Sequence, residues 1–417
     1  MKVKQMDPIV LAEDCVIAGG IGTTLPNYNV LVVGCSGTGK SLSVNYPTLY
    51  EMQNSSVIAT FAKAGEARQM AHHFRKKGYE TRICDLSNPA RSDVCFDPLR
   101  YIKTPQDVEE LANQCVMPLL KKTADEYWQR KAVPLVGALI SAALEATKQS
   151  TFADVLDLFD RMQVEESRTS SGIETGLDRL FAALKREKPE CYAVREYYSF
   201  RSLPPKTASC VRDTAAACLS AMFPEDIRQM MRESNSIDFR ELATKKTALF
   251  VITSPVNTAV NNFANLMYGT AIKELMAFAA ERRDCRLPRD VRLVFDDFAV
   301  GSKIHNFAEY ISVFRSAGIS ALILLQSESQ LFSIYGEQDG QSIINNVSTY
   351  CYFSGGMDLT TCEHVARRTN RPLETVLYSP LDRIYIMQAG RKPLVTKRYP
   401  IMNDCRYQEM KQDRGRS

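Results

Sequence analysis

The sequence predicts an α/β fold, a mainly parallel sheet interrupted by an inserted all-α domain. Three observations carry this. Short, continuous apolar runs alternate with helical stretches in the first hundred residues and again after position 246, as strands buried on both faces require. Between them lies a stretch of about 135 residues with helical periodicity and no strand signal. A glycine-rich loop follows the first strong apolar run and opens a helix.

The elements follow in chain order. Strands are expected at 29–33, 56–60 and 80–84, with a helix at 66–77 between the last two. Helices are expected at 107–120, 124–147, 152–162, 173–186 and 206–222, where apolar residues recur at three- and four-residue spacing. Turn signals such as Ser170-Ser171-Gly172 and Pro204-Pro205 separate them. Strands return at 248–253, 291–295, 319–325, 349–353 and 384–388, with helices at 259–282, 307–315 and 359–369. The polar, basic tail at 411–417 is expected to fray.

Composition limits the function classes. A chain of 417 residues exceeds one domain of typical size and can bury a large core. With 45% hydrophobic and 24% charged residues it is neither disordered nor fibrous. The balance of 52 Lys+Arg against 48 Asp+Glu, a net +4, neither demands nor excludes a nucleic-acid partner. Twelve cysteines contain no CxxC pair, so they read as free thiols of a reducing compartment. The four histidines lack ligand spacing, which argues against zinc. The longest apolar candidate, 133–146, falls short of the ~18–20 residues a bilayer span needs and carries Glu145. No apolar region follows the N-terminal lysines. The expectation is a cytoplasmic chain without a transmembrane segment.

The strongest local signal is Gly34-Cys35-Ser36-Gly37-Thr38-Gly39-Lys40-Ser41, which satisfies the Walker A pattern G-x-x-x-x-G-K-[ST] in full. Glycines let the backbone curl so that its N–H groups converge on phosphate oxygens, and the following helix points its positive end at the same anion. Lys40 can reach the β- and γ-phosphates of ATP, and the Ser41 hydroxyl can ligate Mg²⁺. The motif needs an acidic partner at the tip of a neighbouring strand. The run 291–295 ends in Asp296-Asp297 and supplies it, as a Walker B strand would. Asp296 is expected to hold the metal, and Asp297 to orient or deprotonate the attacking water.

Two further residues join the candidate catalytic set. Gln326 ends the apolar run 319–325, where it can hydrogen-bond both the γ-phosphate and the attacking water. Arg315 precedes the same strand and reads either as a finger acting across a subunit boundary or as a plain surface arginine. Lys40 and Asp296 are 256 positions apart, longer than a compact P-loop core needs, and the helical segment supplies most of the excess. The organisation expected is therefore a nucleotide-binding domain in two parts, 1–104 and 243–417, with an all-α insertion at 105–242.

These residues carry a pattern that resembles the type IV secretion coupling proteins, the TraG/TraD-like conjugative DNA-transfer ATPases. Residues 29–41 are similar to the family's entry into its P-loop, with Pro47 downstream. Residues 92–99 (SDVCFDPL) resemble its "S...NPL", and Tyr127-Trp128 its "FW". Phe295-Asp296-Asp297-Phe298-Ala299 resembles "LDEFA". Gln326-Ser327-Glu328-Ser329-Gln330-Leu331, with Tyr335-Gly336, is similar to "QS..QL...YG", and Gly355-Gly356, Asp358 and Thr360-Thr361 to "G..D..TA".

The resemblance implies a RecA-like P-loop NTPase domain carrying an all-α domain. It implies a ring hexamer with ATP sites between subunits, at the cytoplasmic face of the inner membrane. It implies ATP-driven transfer of single-stranded DNA with its attached relaxase, or of effector proteins, into a secretion channel. Three departures stand out. Family members usually carry an N-terminal membrane anchor, and none is seen here. The family's Glu is Asp297, one methylene shorter, which withdraws the carboxylate by about 1.5 Å. The family's "DPKGE" after the second strand is Thr60-Phe61-Ala62-Lys63-Ala64-Gly65-Glu66.

Two other functions remain open on the sequence. One is a nucleotide-gated adaptor that docks cargo and hydrolyses weakly; the other is a different RecA/FtsK-like DNA pump. No LSGGQ-like signature or NKxD motif is present, which disfavours ABC transport and GTP hydrolysis. Trp128 reads as a packing anchor or a base-stacking platform. The basic pairs Lys121-Lys122 and Arg130-Lys131 read as a solvated face or a DNA contact. Arg282, Arg283, Arg286 and Arg289 read as a solvated turn.

Overall fold

The computed structural model describes residues 6–18, 26–117, 126–147, 149–168 and 176–414. The basic pair Lys121-Lys122 and the turn Ser170-Ser171-Gly172 lie outside the described residues. Eleven strands are described: β1 (Ile9–Ala12), β2 (Cys15–Ile17), β3 (Val30–Val33), β4 (Ser56–Phe61), β5 (Glu80–Asp85), β6 (Thr247–Ile252), β7 (Val291–Phe295), β8 (Ile319–Leu325), β9 (Thr349–Phe353), β10 (Arg383–Gln388) and β11 (Leu394–Lys397). β1 and β2 pair antiparallel as a separate ribbon. The other nine form one sheet in the order β11-β10-β9-β3-β8-β7-β4-β6-β5.

The centre of this sheet is parallel from β9 through β3, β8, β7 and β4 to β6. The β10–β11 hairpin runs antiparallel, with β10 against β9. The parallel strands are buried along their whole length, as their unbroken apolar runs require. All eight strands expected from the sequence are present. β1, β2 and β11 were not expected: each has four residues or fewer, and β11 (LVTK) buries only Thr396.

One expectation needs correcting. The strand ending in Asp296 does not neighbour the P-loop strand, because β8 lies between β3 and β7. Registers nevertheless bring all three tips to the same edge, with Val33 beside Leu325 and Phe295 beside Ile323.

At the opposite edge of the sheet, polar groups are closed off by the chain itself. Arg292 in β7 is 1% exposed and donates from Nη1 to the Pro8 carbonyl (2.9 Å) and from Nη2 to the Asp7 carbonyl (2.6 Å). The Asp7 carboxylate accepts from the backbone N–H groups of Asn54 (3.0 Å) and Ser55 (2.6 Å). Asn29, one residue before β3, donates to the Ile311 and Asn346 carbonyls and accepts from Ala321 N–H. The arginines before β7 have local partners: Arg286 with Asp290 at 2.6 Å, and Arg282 with Asp284 at 3.4 Å.

The chain divides into two compact units. One comprises Met1–Cys84, Asp238–Thr253 and Ala271–Ser417 and contains the sheet; the other comprises Asp85–Ile237 and Ser254–Thr270 and is helical. The sequence pattern sets the insertion at 105–242; the helical unit begins at Asp85 and also takes Ser254–Thr270. Within it, the helix Glu126–Ala146 packs against Pro105–Val116, Tyr192–Arg201 and Pro205–Met222. Gly137 permits one of these approaches: a Cβ there would lie 2.6 Å from the Tyr192 hydroxyl. Asp97, within the SDVCFDPL stretch, is fully buried and accepts from the N–H groups of Leu99 (3.1 Å) and Phe152 (3.0 Å). Burial pushes its carboxyl up to about 6.

Candidate nucleotide-binding site

The glycine-rich loop runs from the tip of β3 into helical turns starting at Ser41. Gly37 and Gly39 adopt φ of 82° and 84°, the left-handed region that other residues rarely enter. Gly34 serves close approach instead: a Cβ there would lie 2.6 Å from Phe353 Cβ in β9. The Gly34 N–H donates to the Leu325 carbonyl at 3.2 Å, which fixes the start of the loop to the tip of β8. Residues Ser41–Asn45 form a π-helical turn, closed by Tyr46 N–H on the Ser41 carbonyl. Such turns are rare and concentrate at functional sites.

Lys40 is 7% exposed, and its ammonium donates to the carbonyls of Gly34 (2.5 Å) and Cys35 (3.1 Å). Burial lowers its pKa, while Asp297 and Asp296 raise it. The Ser41 hydroxyl donates to Asp296 Oδ1 at 2.9 Å, joining residues 255 positions apart. Burial pushes the Asp296 carboxyl up to about 6, and Asp297 adds to the rise. The Ser41 hydrogen bond and Lys40 act the other way. Asn45, fully buried one turn after Ser41, also acts on the Asp296 carboxyl in the direction of the Ser41 hydrogen bond.

Asp297 is exposed and has φ of 55°, and Ala299 follows at 64°. Asp enters this region more readily than longer side chains because its short carboxylate can bond locally. Beside the missing methylene, the backbone gives a second reason for Asp at this position. Gln326 stands exposed at the tip of β8, with its N–H donating to Gln330 Oε1 at 3.3 Å. The loop, Ser41, Asp296, Asp297 and Gln326 thus share one edge of the sheet.

Arg315 is not brought to this edge. It is exposed in the last turn of the helix Phe307–Ala317, just before β8 begins, so a strand of seven residues separates it from Gln326. It takes no part in the site of its own chain.

A hard cation fits the donors that are present. Ser41 and Asp296 offer two adjacent oxygens at the mouth of a phosphate loop, the donor set Mg²⁺ uses when phosphates and water complete its shell. No group of three or more His, Cys, Asp or Glu forms a metal cage among the described residues.

Sequence reasoning missed two groups at this edge. Arg398, just after β11, donates from Nη1 to the Thr38 carbonyl of the loop at 3.1 Å. Nothing in a four-residue, largely exposed strand announces it. Glu328, two residues after Gln326, is fully buried and accepts from Tyr350 OH (2.7 Å) and Arg368 Nη1 (2.7 Å), with His364 Nδ1 also in contact. An unbroken Gln-Ser-Glu-Ser-Gln stretch reads as polar surface, so its buried member is not distinguishable.

The weaker candidates lie in the helical unit. Trp128 is half-buried with its ring 5.0 Å from that of Tyr127, edge to face. Arg130 pairs with Glu126 at 2.8 Å and Lys131 lies over the Tyr127 ring, so both cations have local partners. All twelve cysteines are free. Among the described residues no helix is long and apolar enough to cross a membrane.

The model of a family described as type IV secretory system conjugative DNA transfer matches residues 2–369. No curated protein matches. Among solved structures, the bacterial conjugative coupling protein TrwBdeltaN70 in an unbound form superposes with a TM-score of 0.64 at 17% identity, covering 91% of this chain and 86% of that one. TrwB in complex with the non-hydrolysable ATP analogue ADPNP gives 0.62 at 17% identity, covering 89% and 84%. VirB4 of Thermoanaerobacter pseudethanolicus gives 0.51 at 15% identity, covering 95% and 98%. At these identities the likeness establishes the fold alone, a RecA-like α/β core with a helical domain.

Proposed function

The chain belongs to the type IV secretory system conjugative DNA transfer family, and on that premise we propose that it is an ATP-driven coupling protein. It recruits single-stranded DNA with its relaxase, or protein cargo, and feeds it to a secretion channel at the inner membrane. The observation that carries the reading is the 2.9 Å bond from Ser41 to Asp296 beneath a P-loop whose lysine is already inside it. TrwB has been solved with ADPNP and with ADP and Mg²⁺, which supports a nucleotide at this edge.

In this reading the N–H groups of residues 34–41 cradle the phosphates. Lys40 exchanges the Gly34 and Cys35 carbonyls for β- and γ-phosphate oxygens. Ser41 and Asp296 would hold Mg²⁺, which would supply charge neutralisation for the phosphates. Asp297 orients the attacking water and accepts its proton, and Gln326 bonds the γ-phosphate and reports its loss. The active form is a homo-hexamer, and Arg315, if it acts, acts on a neighbour's site.

The experiment is ATP hydrolysis by the assembled protein with and without single-stranded DNA, beside Lys40→Ala. Hydrolysis stimulated by DNA or by assembly and lost in Lys40→Ala is the expected result. DNA binding with no turnover under any condition would sink the motor reading. It would leave the adaptor reading, which the short Asp297 side chain favours.

A further inference from the structure

We infer that Arg398 is a second phosphate ligand, supplied by the chain to its own nucleotide. The inference rests on the nucleotide-binding reading of the loop and extends it. The β10–β11 hairpin positions this residue: Arg383 pairs with Lys397, and the Arg398 N–H donates to the Asp382 carbonyl at 3.1 Å. The next residue is tied to the P-loop helix, its Tyr399 carbonyl accepting from Ser43 Oγ at 3.4 Å. Between these anchors the guanidinium reaches the loop. Nη1 lies 3.1 Å from the Thr38 carbonyl and 3.3 Å from where a Cβ on Gly39 would stand. Ser43 Oγ is 3.8 Å from that same point.

The chemistry fits a phosphate better than a structural clamp. A guanidinium has five N–H donors in a planar fork matched to phosphate oxygens. One bond to a carbonyl uses one of them, and among the described residues no carboxylate pairs with Arg398. Arg406 nearby in sequence is different: it takes both Asp404 and Glu51.

The sheet order says which phosphates. β9, β10 and β11 lie on one side of β3, and β8 and β7 on the other. Arg398 approaches from the first side, against Thr38 and Gly39. Asp297 and Gln326 approach from the second, where the terminal phosphate would be attacked. Arg398 therefore addresses the α- and β-phosphates, which ATP and ADP share. It also acts within one chain, unlike a finger from a neighbour.

Binding of Mg·ATP and Mg·ADP is measured by titration calorimetry on the full chain at a concentration where it is monomeric. Wild type, Arg398→Ala and Arg398→Lys are compared, with thermal melts in the absence of nucleotide. Loss of one charge-assisted contact predicts about tenfold weaker binding of both nucleotides in Arg398→Ala, with part recovered in Arg398→Lys. Melting without nucleotide is expected to stay put. Unchanged affinities overturn the proposal, as does a lower melting temperature with affinity intact, the mark of a loop clamp. A loss confined to ATP overturns the α/β assignment. If wild type binds neither nucleotide, the nucleotide reading itself fails, and Arg398 is not what failed. Should Arg398→Ala not fold, Arg398→Lys carries the comparison: affinity equal to wild type for both nucleotides would again overturn it.

Discussion

The two edges of the central sheet solve the same problem in opposite ways. Both present the polar ends of buried strands. At the edge where β7 begins, every named polar group finds a partner in the chain: Arg292 takes two carbonyls, Asp7 two N–H groups, and Asn29 three backbone groups. At the edge where β3, β7 and β8 end, the chain turns Asp297 and Ala299 into the left-handed region and holds Asp296 where burial resists its charge. The left-handed turns at Asp297 and Ala299 sit where a bound ligand would relieve them.

That contrast can be broken at either side. The largest effect is expected at the closed edge. Arg292→Ala leaves two buried carbonyls without donors and an empty volume, and should cost about 3–5 kcal/mol, read as a shifted urea midpoint. A loss under about 1 kcal/mol would mean that this edge is not what holds the sheet. At the open edge the order reverses. Lys40→Ala should leave the urea midpoint nearly in place yet reduce turnover by about a hundredfold or more, since it removes charge stabilisation near the transferred phosphate.

Asp297→Glu tests strain against reach. Restoring the methylene is expected to raise turnover about tenfold, since roughly 1 Å of misplacement can cost a hundredfold. The left-handed backbone should charge about 1 kcal/mol of stability for the longer side chain. Turnover unchanged at a lower midpoint would mean that backbone geometry, not length, selected Asp here.

The smallest effect is a proton. With the Asp296 carboxyl raised to about 6 in the folded chain, the native state holds a proton between the ordinary carboxylate range and pH 6 that the unfolded state has released. This group's contribution to stability therefore falls as pH rises through that window. A bound Mg²⁺ favours the ionised form, so Mg·nucleotide binding should release close to one proton below pH 6 and almost none at pH 8. Calorimetry in buffers of different ionisation enthalpy reads this, and Asp296→Asn should abolish it.

The sequence made the parallel core legible because its strands are continuous apolar runs: Val291–Phe295 and Ile319–Leu325 can hardly be anything else. The loop and Asp296 were legible because phosphate chemistry dictates residue types in a fixed local spacing. What was not legible depends on distant pairing. No local pattern says that β8 slots between β3 and β7, or that β11, with one buried residue in four, would deliver Arg398 to Thr38. Nor does composition disclose a backbone angle, so the left-handed turn at Asp297 was not legible.

The strand order has a consequence for synthesis. Of the nine-stranded sheet, β3, β4 and β5 leave the ribosome first, and none of the three is a neighbour of another: β8 and β7 separate the first two, and β6 the last two. The emerging N-terminal segment therefore owns a complete phosphate loop but no sheet to mount it on. It must wait for residues up to Phe353, which form the strands on either side of β3. Closing loops of that length is slow and leaves apolar edges open in the meantime. Between β3 and β9 such a chain is open to aggregation, and a P-loop mounted on its sheet reports that β3 has met both neighbours.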